Sequence, residues 1–252
     1  MSENDRVRLF GIPLDLLTME ETLERCVRIV EAGSPAQHVV INAGKVVLAS
    51  ADERLRDIIS ACPVVNADGQ SIVWVGRMAG FPVPERVAGI DLMDNLLLEA
   101  QNRGWPVYFL GARAEVLGRF LTVVRERFPG MSVAGWRDGY FEDDEAAAEA
   151  IRASRARLVF VGMPSPRKEY FAADMLPRMG GALVVGVGGS FDVWAGLTKR
   201  APKWMQRLGL EWAYRLGQEP ARMWRRYLVG NTRFVWLSLK EIARQRLKRS
   251  AG

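Results

Sequence analysis

One carboxylate lies where a predicted buried strand ends and a predicted helix begins, in the sequence Asn66-Ala67-Asp68-Gly69. At such a position a side-chain carboxylate can take a proton from a substrate hydroxyl, so Asp68 is a candidate general base. The alternative is that Asp68 caps the next helix while Gly69 supplies the turn. The spacing alone favours this alternative.

Two loops contain residue types that bind anions. The glycines of the segment 186–190 allow backbone N–H groups to approach a phosphate, although the segment has neither G-x-G-x-x-G nor P-loop spacing and a tight turn explains it equally well. In the second loop, Arg167, Lys168 and Glu169 place charge at the start of a predicted helix, where basic groups oppose the helix dipole. This departure from local rules indicates a function, and a solvated surface loop is the alternative.

Arginines and aromatic residues are interleaved near the C-terminus. Guanidinium groups bind phosphate oxygens in a bidentate manner. Aromatic residues beside basic ones are typical of a membrane interface or of single-stranded nucleic-acid binding, and a solvated basic face is the simplest alternative. The residues are Arg215, Arg222, Arg225, Arg226, Trp212, Tyr214, Trp224 and Tyr227.

The charge distribution sets this region apart from the rest of the chain. Residues 196–252 contain 14 basic and 3 acidic residues, a net charge of +11. Residues 1–195 contain 21 basic and 26 acidic residues, a net charge of −5. A mildly acidic body with a basic tail predicts that the tail meets an anionic partner, which is a phosphate, a membrane surface or a nucleic acid.

The scarcity of other residue types excludes several kinds of site. One histidine, His38, and two cysteines, Cys26 and Cys62, argue against a zinc site and a disulfide framework. No D-x-D triplet is present, and the acidic cluster 142–145 is interpreted as the first turn of a helix, so we expect no metal. The N-terminal segment lacks a signal-peptide pattern, and no apolar run reaches the roughly 18 residues of a spanning helix. A cytoplasmic protein is therefore expected.

The elements that must position these groups follow from the hydrophobic pattern. Short apolar runs predict strands, and longer amphipathic patterns between them predict helices. The predicted strands are residues 37–41, 63–66, 107–110, 131–134, 158–161 and 182–187, and the predicted helices are 19–32, 45–61, 70–79, 92–102, 114–128, 144–154 and 167–178. This alternation predicts an α/β fold with a doubly wound, mainly parallel sheet, in which ligands bind beyond the carboxyl ends of the strands.

No strand pattern remains after about residue 196. Trp204, Leu208, Trp212 and Leu216 recur every four residues and predict one short helix that Pro220 ends. A last helix is predicted over residues 231–248. We therefore expect two domains, a catalytic core over residues 1–195 and a basic helical appendage over residues 196–252.

Taken in order, the motifs are similar to those of one known family. They are N-A-D-G (66–69), E-R-V-A-G-I-D-L (85–92), V-Y-F-L-G (107–111), G-G-S-F-D (188–192), A-G (195–196), R-A-P (200–202), E-W (211–212), Y-R (214–215) and E-P-A-R-M-W-R-R (219–226). Each motif alone is weak, but the ordered set is specific. Over residues 8–240 the chain resembles the WecG/TagA/CpsF glycosyltransferases, glycosyltransferase family 26.

The resemblance implies a fold and an activity. It implies a Rossmann-like core with a helical C-terminal appendage, the GT-E type. The implied reaction is inverting transfer of a hexose, N-acetylhexosamine or related sugar from a UDP-sugar to a polyprenyl-diphosphate-linked saccharide, without a metal or other cofactor. The implied place is the inner face of the cell membrane, where the appendage contacts the anionic surface during cell-surface polysaccharide synthesis. No nucleic-acid partner is expected.

The resemblance also implies roles for individual residues. Asp68 matches the general base that deprotonates the acceptor hydroxyl. The remaining positions match substrate-binding residues, among which the three arginines of the appendage neutralise the departing diphosphate. These positions are Asn42, Arg86, Lys168, Glu169, Gly189, Asp192, Arg215, Arg222 and Arg225.

Two positions depart from the family pattern. Val40 stands where many members have Thr, and Lys168 stands where many have Gln. A cation in place of an amide favours an anionic or differently hydroxylated sugar. The alternatives are a nucleic-acid-binding α/β protein and a catalytically inactive scaffold of the same family. The donor sugar, the acceptor and the oligomeric state, including a homo-oligomer, are left open.

Overall fold

The chain opens with an antiparallel hairpin that the hydrophobic pattern of the sequence does not indicate. The computed structural model describes residues 6–218 and 220–250, without the side chains of 221–223, 225–229 and 249–250. The hairpin pairs β1 (Arg6–Leu9) with β2 (Ile12–Asp15), and both turn residues between them have a positive φ. The strands contain four residues each, which is too short for a clear alternation of apolar and polar residues.

A six-stranded parallel sheet forms the centre of the fold and confirms the predicted fold class. In spatial order the strands are β4, β3, β8, β7, β5 and β6. Their bounds are β3 (Ala36–Ile41), β4 (Val64–Ala67), β5 (Val107–Gly111), β6 (Val133–Arg137), β7 (Leu158–Gly162) and β8 (Leu183–Gly186). The strand predicted over residues 131–134 lies later in the chain, because edge strand β6 pairs with β5 as far as Arg137 and is only partly buried.

Helices connect the strands. They are α1 (Met19–Ala32), α2 (Ala43–Ala49), α3 (Glu53–Ala61), α4 (Gln70–Met78), α5 (Gly89–Arg103), α6 (Ala114–Arg127), α7 (Asp144–Ala153), α8 (Arg167–Met175) and α9 (Ser190–Trp194). Helix α1 begins at a capping box formed by Thr18 and Glu21, as predicted. Helix α7 begins at the acidic cluster, where the Asp143 side chain accepts a hydrogen bond from the Ala146 N–H.

Side chains of alternate strand residues enter different layers of the core. Phe109 and Phe160 face the layer formed by α1, α5, α6 and α9, whereas Leu110 and Val161 face α7 and α8. Around β3 and β4 the hairpin packs with α2, α3 and α4. The parallel strands are therefore covered on both faces, and their carboxyl ends lie at one edge.

Two predicted helices are each divided in the structure. The pattern over residues 45–61 forms α2 and α3, because Asp52 caps a new helix by accepting a hydrogen bond from the Leu55 N–H. The apolar stripe from Trp204 to Leu216 spans α10 (Lys203–Arg207) and α11 (Glu211–Gln218). Gly209 lies between them with a φ of +64°, a conformation that ends a helix.

The last helix is longer than predicted and packs on the core. Helix α12 (Pro220–Ser250) begins at the predicted break, eleven residues before the predicted start at residue 231. Its Phe234 is buried in the cluster of β3, β4 and the hairpin, and its ring centroid lies 5.8 Å from that of Phe10. Gln245 donates a hydrogen bond to the Arg8 carbonyl oxygen. The C-terminal helix therefore contributes to the core formed near the N-terminus.

Buried His38 links stability to pH. Its Nε2 lies 3.0 Å from Asn66 Oδ1, and Asn66 Nδ2 donates to Thr22 Oγ1 at 2.9 Å, so Nε2 carries the proton. Burial lowers the pKa of His38 to about 4, with Lys45 acting in the same direction. The folded state therefore keeps this imidazole neutral at pH values where the unfolded chain protonates it.

A His38→Gln variant is expected to lose less stability in acid than the wild type. Between pH 7.5 and pH 5, protonation of His38 in the unfolded chain should lower the wild-type free energy of unfolding by about 2 kcal/mol. Glutamine does not titrate but can donate to Asn66. Urea unfolding at both pH values measures the difference, and groups that titrate equally in both proteins cancel. Equal losses in the two proteins would contradict the assignment.

Candidate active site

Asp68 lies at the carboxyl edge of the sheet, immediately after β4. Its N–H donates to the Ile41 carbonyl oxygen of neighbouring β3 at 2.8 Å, which fixes Asp68 beside Asn42. Gly69, not Asp68, is the N-cap of α4, and no side chain caps that helix. The capping alternative for Asp68 is therefore wrong.

The Asp68 carboxylate is partly buried and surrounded by charge. Burial raises the pKa of Asp68 to about 6, Glu211 acts in the same direction, and Arg86, Lys45 and Arg215 oppose the rise. It has no hydrogen-bond partner among the side chains that the structure describes in residues 6–218. A carboxylate with a raised pKa and unoccupied acceptor positions is suited to accept a proton.

Arg86 connects the core to the segment after residue 196. Its guanidinium donates to Glu211 Oε2 at 2.6 Å and to Gln206 Oε1 at 3.1 Å. The Arg86 side chain is only 11% exposed. This contact brings α11 over the end of β4, and it explains how both Glu211 and Arg215 act on Asp68.

Arg200 forms a second contact of the same kind. Its guanidinium donates two hydrogen bonds to Asp91 in the first turn of α5, at 2.5 and 2.7 Å. Arg200 also lies within electrostatic reach of Asp68 and Glu211. The site therefore has cations on both the core and the C-terminal segment.

Two buried lysine side chains, both paired with Glu169, lie close enough to Asp68 to interact with it electrostatically. Lys45 Nζ lies 2.6 Å from Glu169 Oε1, and Lys168 Nζ lies 3.2 Å from the same oxygen. Burial lowers the pKa of Lys168 to about 8, Lys45 adds to this, and Glu169 and Asp68 oppose it. Burial alone would raise the pKa of Glu169, but the two lysines outweigh it and hold the pKa at about 2.

The other predicted site residues have varied positions. Asn42 Oδ1 accepts a hydrogen bond from the Lys45 N–H at 3.0 Å and so caps α2. Gly189 and Asp192 follow β8, but Asp192 acts on Arg113 rather than on Asp68 in the interactions that are described. The side chains of Arg222 and Arg225 lie outside the described residues. Arg167 pairs with Asp144 on the surface, away from Lys168.

Sequence reasoning missed three residues that act on Asp68, namely Lys45, Arg200 and Glu211. Lys45 lies in the first turn of α2, and a lysine near a helix N-terminus is the same local violation that singled out Lys168. That signal was sufficient to find it. Arg200 and Glu211 belong to motifs that were recognised, but their contacts join positions 109 and 125 residues apart, respectively.

The described part of the chain shows neither a metal-binding cluster nor a membrane span. Within residues 6–218 and 220–250, no three His, Cys, Asp or Glu side chains gather in a way that could hold a metal ion. Among the helices of those residues, none has both the length and the apolar character needed to cross a membrane.

Comparisons with known proteins agree with the motifs. Residues 7–249 match the model of the Glycosyl transferase WecG/TagA/CpsF family. The chain is 39% identical, over 175 residues, to an N-acetylglucosaminyldiphosphoundecaprenol N-acetyl-beta-D-mannosaminyltransferase of Bacillus spizizenii (strain ATCC 23059 / NRRL B-14472 / W23), a match that covers 69% of this chain and 68% of the relative. The chain therefore belongs to the WecG/TagA/CpsF family and is a glycosyltransferase.

Proposed function

We propose that the protein transfers a hexose, N-acetylhexosamine or related sugar, with inversion, from a UDP-sugar to a polyprenyl-diphosphate-linked saccharide. The observation that carries this proposal is the Asp68 carboxylate, which is partly buried and faces cations from both the core and the C-terminal segment. The Bacillus relative supports the substrate class, because its name specifies an acceptor with a lipid diphosphate. The place of the reaction in cell-surface polysaccharide synthesis follows from that class of acceptor.

In the proposed reaction, Asp68 accepts the proton of the acceptor hydroxyl as that oxygen attacks the anomeric carbon. The new C–O bond forms on the face opposite the departing UDP, so one displacement inverts the configuration. With a pKa of about 6, Asp68 is largely ionised at neutral pH and is a stronger base than an exposed aspartate. The proton moves to Asp68 and the electron pair moves to UDP.

Arginines are proposed to stabilise the charge on the leaving diphosphate. Arg215 on α11 interacts electrostatically with Asp68. Arg86 does the same, and it also donates a hydrogen bond to Glu211 of α11. Fixed cations at a developing negative charge lower the barrier by about 3 kcal/mol each, by analogy with other charge-stabilising groups. We propose that these guanidinium groups, with Arg222 and Arg225, take the place of a metal ion.

The C-terminal segment is proposed to act as an appendage that contacts the membrane at its inner face. Helix α12 exposes Val235, Trp236 and Leu239, with exposed fractions of 55%, 59% and 64%. Lys240 Nζ lies 5.3 Å from the Trp236 ring centroid. Exposed aromatic and aliphatic groups beside cations are suited to an anionic lipid surface, where each basic residue contributes about 1 kcal/mol.

The test is transfer from a panel of radiolabelled UDP-sugars to a synthetic polyprenyl-diphosphate-linked GlcNAc in buffer containing EDTA. We expect at least one donor to give a lipid-linked disaccharide of inverted anomeric configuration, at a rate that EDTA does not change. Absence of transfer from every donor would contradict the proposed activity. Loss of transfer in EDTA that Mg²⁺ restores would contradict only the metal-independent mechanism.

A further inference from the structure

Three charged side chains are buried together beneath the carboxyl edge of the sheet. They are Lys45, Glu169 and Lys168, which we call the lysine–glutamate triad, and their side chains are 3%, 1% and 9% exposed. Glu169 Oε1 accepts from Lys45 Nζ at 2.6 Å and from Ser165 Oγ at 3.0 Å, with Lys168 Nζ at 3.2 Å. Buried charges of this kind persist only where they are paired.

The triad reaches the site from two elements beside β4. Lys45 follows β3 in the first turn of α2, and its N–H is held by Asn42, the neighbour of Asp68. Lys168 comes from α8 and crosses the end of β8, where a Cβ added to Gly186 would lie 3.0 Å from Lys168 Cε. Because β4, β3 and β8 are adjacent in the sheet, Lys45 and Lys168 lie on the same side of β4, and both interact electrostatically with Asp68.

The charges of the triad do not balance. Two ammonium groups share one carboxylate, which leaves a net charge of +1 in a buried position. Outside the triad, the Asp68 carboxylate interacts electrostatically with both lysines, and no described salt bridge pairs it with another residue. The remaining charges that face Asp68 are Arg86, which is paired with Glu211, Arg200, which is paired with Asp91, and Arg215.

Glu169 is too deeply buried to contact a substrate in this arrangement. Its side chain is 1% exposed, and its Oε2 has no surface and no hydrogen-bond partner in the described chain. The expectation that Glu169 binds substrate therefore needs a different interpretation. Its contacts assign it to holding Lys45 and Lys168 in place.

We propose that the lysine–glutamate triad sets the charge state of Asp68, with Lys168 as a positioning residue and Glu169 as the anchor of both lysines. The excess positive charge of the triad keeps the Asp68 carboxylate ionised despite its burial, so that it is ready to accept a proton. This inference rests on the proposed function only for the role of Asp68 as the base.

The triad predicts opposite effects for two substitutions. Lys168→Met removes the excess positive charge, so the pH at which Asp68 titrates should rise by roughly one unit. Glu169→Gln removes the anchor's negative charge, so Asp68 should titrate at lower pH than in the wild type. A residue that merely supports the fold would not shift the titration in opposite directions.

The titration is measured by NMR on protein labelled with 13C at the aspartate carboxyl carbon, and the Asp68 signal is identified by its loss in Asp68→Asn. An Arg152→Gln variant, which alters an exposed ion pair with Glu149 on α7, is the matched control and should leave the titration unchanged. Lys168→Met keeps the one-to-one pair of Lys45 with Glu169. We therefore expect Lys168→Met to fold, and its Asp68 titration tests the proposal even if Glu169→Gln fails to fold.

The pH dependence of kcat/KM is the second readout. In the wild type we expect an acid limb from Asp68, and Lys168→Met should move that limb to higher pH by the same interval as the NMR titration. The NMR titration tests the triad even if no donor is transferred. An unchanged Asp68 titration in an active Lys168→Met variant would overturn the triad and leave the proposed function intact.

Discussion

An Asp68→Asn variant is expected to lose about 10³-fold in kcat for sugar transfer, because the amide has the shape of the carboxylate but cannot accept the acceptor's proton. Binding of UDP should change little, because the carboxylate contributes to proton transfer rather than to holding the diphosphate. Initial-rate kinetics with the best donor, together with calorimetry of UDP binding, separate these two quantities. A loss of kcat without a loss of UDP affinity is the expected result.

Asp94→Asn is the matched control for this substitution. Asp94 lies on α5, is 44% exposed and pairs with Arg127 on the surface, so its replacement should leave kcat unchanged. The Glu211 carboxylate also acts on Asp68, and a Glu211→Gln variant tests whether Glu211 rather than Asp68 is the base. If Asp68→Asn retains activity while Glu211→Gln loses it, the base has been assigned to the wrong carboxylate.

The sheet could be predicted from the sequence because its strands are buried on both faces. Runs such as residues 158–161 and 182–187 are continuously apolar, and this pattern needs no knowledge of the partner strand. The hairpin at residues 6–15 could not be predicted in the same way. It is short, and its Arg6 and Asp15 form an ion pair between the two strands, at the end away from the turn, that no periodicity reveals.

Helix ends depended on local capping that a hydrophobic pattern does not show. The break between α2 and α3 comes from the Asp52 side chain, and the break between α10 and α11 comes from the left-handed Gly209. Both residues lie within patterns whose apolar spacing continues across the break. The apolar stripe that includes Trp204 and Trp212 therefore predicted helical structure correctly, but it predicted one helix where the structure has two.

The candidate site could be proposed from the sequence as far as its motifs are local. Asp68, Arg86 and Arg215 could be named because each lies in a recognised motif, and all three act at one place in the structure. The ion pairs that orient them join distant parts of the chain, as Lys45 and Glu169 do across 124 residues. A single sequence does not contain those pairings, so the roles of Lys45, Arg200 and Glu211 required coordinates.

The second large effect is expected at Arg215, which acts on Asp68 from α11 in the C-terminal segment. Arg215→Gln should lower kcat by about 10²-fold, because one fixed cation is removed from the place where the leaving diphosphate gains charge. Arg215→Lys should recover part of the loss, since it restores the charge but not the bidentate geometry of a guanidinium. Arg119→Gln, at an exposed position on α6, is the control.

A point substitution tests this role better than removal of residues 196–252. Phe234 is buried against Phe10 and the hairpin, so truncation would open the core as well as remove the arginines, and lost activity would have two causes. Arg215→Gln keeps those contacts, and its unfolding transition should match that of the wild type. If kcat is then unchanged with saturating donor and acceptor, the leaving group is stabilised from elsewhere, and the segment's contribution is limited to the contacts that Glu211 and Phe234 make with the core.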